Sequence, residues 1–339
     1  MKILTHILGI ILGLSLSNIS QAHIKWFVEY DISAAPTPLT QLASPLFFSL
    51  LILSIWGITL GAYIDSRWTK FRYFSLMPYF KTDSKDLPLS IIRIATGIFF
   101  VALWLVGGTT LTPDLITEEP IVPIVQMLIA FAILFRPTLI LAGLGILGLY
   151  GYSIYLYGFF HMLDYAFFIA LGAFLIITPI NSPTLNRFRL PLIYWLIGLS
   201  FMWSAVEKIA FPQWFDPFLD KNSFLQMGLD RSLFIMAAAF VELSLFYTLI
   251  RFRNGVAIIA LLANLLIMSG NFYFGKIDAL GHFPANAMLL VITIVGNIRP
   301  LNKKQWSSYC ALKITIEFII MLIVIFSLYY LIHWLEYGS

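Results

Sequence analysis

The chain has 339 residues, 60% of them hydrophobic and only 11% charged, whereas soluble domains carry about a quarter charged residues. An ordinary water-soluble core is excluded, because apolar stretches near the roughly 20 residues needed to cross a bilayer recur almost end to end. The net charge of +4 is too small and too dispersed for a nucleic-acid surface, and the single Cys310 leaves no disulfide, thiolate cluster or CxxC pair.

The lipid bilayer is therefore the expected partner, nucleic acid is not, and any redox chemistry must enter through a cofactor or a metal. Residues 1–22 have the three parts of a secretory signal peptide: Met1 and Lys2, the apolar run Ile7 to Leu16, and a polar segment ending in Ser20 and Ala22. Cleavage there makes His23 the first mature residue, whose free amine and imidazole together chelate copper when a second imidazole joins them. The plain alternative is that cleavage falls after an alanine and some residue must follow.

An exposed segment, 23–44, leads into the first span, 45–64. Further apolar segments follow at Pro88 to Leu105, Pro120 to Phe135, Thr138 to Tyr157, Leu163 to Ile180, Pro191 to Ile209, Ser232 to Ile250, Gly255 to Tyr273 and Pro284 to Gly296, before a last helix over 311–334. The prediction is an all-α polytopic membrane protein with nine to ten transmembrane helices. With the mature N-terminus outside, the inner loops receive Arg67, Lys70, Arg72, Lys81, Lys85, Arg136, Arg187, Arg189, Arg251, Arg253, Arg299, Lys303 and Lys304. The positive-inside rule then holds at every alternation, which points to a bacterial inner membrane with a periplasmic N-terminus.

Two stretches, 88–181 and 190–297, share a plan: a long outer loop after the first helix, a short basic turn between the second and third, and a polar cluster before the fourth. Arg136 precedes Asp164 by 28 residues and Arg251 precedes His282 by 31. Repeats of this kind place functional groups where the halves meet. Through RIATGIFF (Arg93 to Phe100), FRPTL (Phe135 to Leu139), FHMLDYAFF (Phe160 to Phe168) and WSAVEKIAFP (Trp203 to Pro212), the chain resembles the DoxX-like family of four-helix membrane proteins from about Pro88 to Gly296. Some relatives are subunits of quinone-linked sulfur oxidoreductases, so the resemblance implies redox chemistry at most. The second half has Tyr194 where the first has Arg93, a departure from equal halves.

Outside the signal peptide, His23, His161, His282 and His333 all fall on the outer side of this topology. Imidazoles and a terminal amine suit copper, and two imidazoles on facing helices suit a haem; the competing explanation is that histidine favours the interfacial zone. Asp164, three residues after His161, would share its helix face as an orienting carboxylate or further ligand, or act as a helix cap. Glu207 and Lys208 read as an adjacent pair at an outer helix end. Glu242, midway along its helix, is a proton-relay candidate or is hydrogen-bonded to Asn264 as structural glue. These residues support a periplasmic metal or haem site, with quinone or a membrane redox partner. The competing functions are ion- or proton-coupled small-molecule transport and a non-catalytic accessory subunit.

Overall fold

The computed structural model describes residues 24–67, 87–180, 182–252, 254–296 and 308–338. Ten helices carry the architecture. They are α1 (Pro45–Arg67), α2 (Leu87–Val106), α3 (Ile121–Ala132), α4 (Leu139–Tyr157), α5 (Phe167–Ile177), α6 (Pro183–Ala210) and α7 (Arg231–Arg251), then α8 (Val256–Ser269), α9 (Phe274–Val295) and α10 (Ser308–Tyr337). Among the described residues there is no strand, only an isolated bridge between Thr109 and Ile116.

Seven of these helices are long and apolar enough to cross a bilayer, and an eighth span arises if the bent pair Phe159–Tyr165 and Phe167–Ile177, at 66°, counts as one. Each of the ten segments expected from the sequence is helical, but α3 and α8 are short. Bulky apolar side chains such as Ile52, Trp56, Leu105 and Leu128 point away from the protein. In lipid that is the low-energy arrangement, because helices satisfy their own backbone groups and need only an apolar exterior. The chain is an all-helical, multi-pass membrane protein.

Several boundaries differ from the expected ones. Pro191 and Pro284 were natural starting points, yet both lie inside longer helices, α6 and α9, since membrane helices tolerate proline where neighbours re-satisfy the freed carbonyl. The α6 start is set instead by Ser182, whose Oγ accepts from Leu185 N at 3.4 Å, followed by Pro183 in the first turn. The expected single helix from Leu163 breaks around Tyr165, and α8 and α9 are separated by a kink at Gly275, whose φ of 73° suits a residue without Cβ.

Helices α2 to α5 pack in sequence, α6 packs on α7, and the two sets meet where α5 lies against α6 and the α8–α9 stretch against α2. Helices α1 and α10 pair with each other, α1 leaning on α7 and α10 on α6. Close approach of α4 and α5 depends on Gly143, where a Cβ would sit 2.5 Å from the Gly172 carbonyl. At the end of the bundle carrying the Arg136 and Arg251 turns, the Asp65 carboxylate accepts from the backbone N–H groups of Asn254 and Gly255 at 2.9 and 2.7 Å. This ties the end of α1 to the start of α8.

Candidate functional site

The opposite end of the bundle is closed by the chain's own N-terminal segment. Ile24, Lys25 and Trp26 form one tight 3-10 turn and all three are buried. Thr37 fastens the segment further on, its N–H donating to Ala210 O at 2.8 Å and its carbonyl accepting from Tyr330 OH at 2.7 Å.

Lys25 Nζ bonds Asp164 Oδ2 and, at 2.7 Å, Glu207 Oε2. Those carboxylates come from the bent connection before α5 and from the last turn of α6. Burial works against a charged lysine, but Asp164 and Glu207 outweigh it and hold Lys25 well above the usual lysine range. The second oxygen of Asp164 has no hydrogen-bond partner among the described residues.

Trp26 divides its indole N–H between Asp114 Oδ1 at 3.0 Å and Tyr165 OH at 3.1 Å. Asp114 is the hub of the site. Its other oxygen accepts from Tyr165 OH at 2.9 Å and lies 3.0 Å from His161 Nε2, while Thr112 donates to Oδ1 at 2.7 Å. Burial would raise its pKa, but the His161 imidazole and the Lys25 charge hold it well below the usual carboxylate range. The ionised carboxylate makes His161 the donor through Nε2. Gly107 and Gly108, both at φ 70°, let the chain turn sharply out of α2. Gln126 Nε2 then pins the loop by donating to Thr109 O and Thr110 O at 2.7 and 3.0 Å. Tyr30 stacks parallel on His161 with ring centroids 5.8 Å apart, and burial pushes its hydroxyl well above the usual tyrosine range.

On the other side of Trp26 lies a second pair of the same kind. Asp278 Oδ1 is 3.1 Å from His282 Nδ1, one helical turn apart on α9, and the His282 ring is 4.7 Å from the indole. The two groups are close but poorly aligned, and neither Asp278 oxygen has a hydrogen-bond partner among the described residues although the side chain is fully buried. Gly281 is required here, because a Cβ would run into the Trp26 ring. His333 donates from Nε2 to Ile32 O at 2.9 Å and is packed by Phe160, Phe211 and Tyr337.

The candidates named from the sequence are therefore rearranged. His161 pairs with Asp114 rather than with Asp164, because the helix tightens to a 3-10 turn between them and Asp164 is claimed by Lys25. No side-chain capping bond is made by Asp164. Glu207 and Lys208 do not form one interfacial pair: neighbours on a helix point in different directions, so Glu207 meets Lys25 while Lys208 meets Glu242 at 2.8 Å, all four buried. Asn264 does not bond Glu242; its Nδ2 donates to Asn286 O at 2.8 Å, within the α8–α9 pair. His23 lies outside the described residues. Asp114, Trp26, Tyr30 and Asp278 had no assigned role, and the only signal for them was the density of polar groups in segments expected at one face.

The fit to a metal is incomplete. Among the described residues no group of three or more His, Cys, Asp or Glu side chains is placed to hold an ion. A haem held by both His161 and His282 would have to displace Trp26, which lies between their two Asp–His pairs. No family model, curated protein or solved structure matches the chain.

Proposed function

We propose that the chain is a DoxX-like protein of a bacterial inner membrane, built on two four-helix repeats, that handles a metal ion at its periplasmic end. Copper is the preferred ion, and quinone-linked electron exchange the preferred use. One observation carries this reading. All three described histidines contact the short segment that follows His23: His282 meets Trp26, His161 meets Tyr30 and His333 meets the Ile32 carbonyl. A mature N-terminus at His23 would bring its amine and imidazole to this place.

Charge favours a cation there as well. Two buried carboxylates, Asp164 and Glu207, share the single ammonium of Lys25, and the enclosed carboxylate of Asp114 lies within reach of its charge. Asp114 holds the Nε2 proton of His161 and so leaves Nδ1 as its ligand atom, while Asp278 beside Nδ1 of His282 favours Nε2 as the ligand atom there. Copper, when bound, would supply one-electron chemistry; the residues described orient the imidazoles and keep water out.

The test begins with N-terminal sequencing of the purified protein, then copper content and an optical spectrum. About one copper per chain is expected, falling at least tenfold in His282→Ala and when one alanine is inserted ahead of His23. Protein that starts at His23 and carries neither copper nor haem would sink this reading.

A second reading, cation or proton transport, is favoured by one observation: Lys208 and Glu242 form a buried ion pair across α6 and α7, next along α6 to the Glu207–Lys25 pair. Buried charges at this depth mark ion pathways in many membrane proteins. Glu242→Gln should then abolish proton flux into dye-loaded proteoliposomes, and wild-type flux in that variant would remove the transport reading.

A further inference from the structure

Helix α3 has 12 residues, about 18 Å of helix, against the roughly 30 Å of hydrocarbon that its neighbours cross. Beside it α2 runs for 20 residues, so one flank of α2 is left uncovered. The result is a groove of about 810 Å³, open to the side, lined by Gly97, Val101, Leu105, Ala130 and Leu134, with Arg93 at one end. From Ser90 to Leu105 it follows α2 for about 22 Å.

Arg93 is the unusual member. Its Nε and Nη2 donate to the Ile133 and Leu134 carbonyls at 2.9 and 2.5 Å, which satisfies the end of α3 but leaves the positive charge in place. No carboxylate among the described residues pairs with it. Arg136, exposed in the turn just beyond, adds a second cation at the same end. A half-buried guanidinium at the edge of an apolar groove is stabilised by an anion, and basic pockets between membrane helices recruit acidic head groups.

We propose that this groove is a binding site for an anionic phospholipid, its phosphate at Arg93 and Arg136 and an acyl chain lying along Gly97 to Leu105. The lipid completes a wall that α3 is too short to build. This site is at the opposite end of the bundle from the Lys25 cluster and does not depend on the metal reading.

The experiment quantifies, by mass spectrometry, phosphatidylglycerol and phosphatidylethanolamine retained after reconstitution in an equimolar mixture and extraction in mild detergent. Wild type should retain about one phosphatidylglycerol per chain, with at least a fivefold preference. Arg93→Gln should lose that preference. Because Arg93 also holds the end of α3, Gly97→Leu provides a second variant: a Cβ there meets only Ile133 Cγ2, at an ordinary 3.6 Å, so the side chain fills the groove without disturbing the fold. It should lose the lipid while keeping the wild-type thermal midpoint in detergent. Equal retention of the two lipids, unchanged preference in both variants, or recovery of an isoprenoid quinone in place of phospholipid would overturn the proposal.

Discussion

Lys25 shows how much one side chain decides. Its ammonium is fully enclosed, and without it Asp164 and Glu207 would face each other with no buried counter-charge. Removing one partner of a buried ionic cluster costs about 3–5 kcal/mol, so Lys25→Met should lower the thermal midpoint sharply and expose the N-terminal segment to protease. A normal midpoint would mean the cluster contributes nothing net. The pH dependence has two limbs. Asp114 is held below its ordinary value of 3.8, so its stabilising effect is intact above that value and is lost as pH falls toward the lower folded value. Lys25 is held above its ordinary 10.5, so its effect is intact below 10.5 and is lost as pH rises beyond it. These two groups therefore make the midpoint fall at both ends, below 3.8 through Asp114 and above 10.5 through Lys25, and Asp114→Asn should lower the midpoint at neutral pH while flattening the acid limb. An unchanged acid limb in that variant would assign it to another group.

At the scale of elements, the bend before α5 carries His161 to Asp114, which the Trp26 indole also bonds, and α9, beyond its kink, brings His282 against the indole itself. Gly281 permits that contact, and Gly281→Ala would force the ring away at about 1–3 kcal/mol. The expected signature is a shifted tryptophan emission with the remaining helices intact by circular dichroism; an unshifted spectrum would show that the indole can move without cost. The presence and order of the helices were legible in the sequence because hydrophobic length is a strong signal in lipid. Their ends were less so: proline marks a helix start in water but not within α6 or α9. His161, His282 and His333 all contact the segment of residues 26–32, but their partners were not legible. The Asp114–His161 contact joins a loop to a segment 47 residues later, and no spacing rule reaches across such a distance.

For the molecule as a whole, the buried charges around Lys25 form a belt. It runs from Asp114 through Lys25 and Glu207, and on α6 it continues to Lys208 and Glu242. Its members come from the loop after α2, the bend before α5, and α6 and α7, yet the piece that joins them is the short segment around Lys25 and Trp26. Its contacts span the chain: Lys25 reaches Asp164 and Glu207, and Ile32 and Thr37 are held by His333 and Tyr330 of α10.

This closure fixes an order in time. At about 5–20 residues per second of synthesis, α10 emerges on the order of half a minute after the segment it fastens, so the contacts of Ile32 and Thr37 with His333 and Tyr330 cannot form until it arrives. Fastening of the segment then awaits α10, and a chain ended before α10 should insert normally yet leave residues 30–37 open to protease. If that shortened protein instead protects the segment as fully as the intact one, closure happens early and α10 merely packs against a finished site.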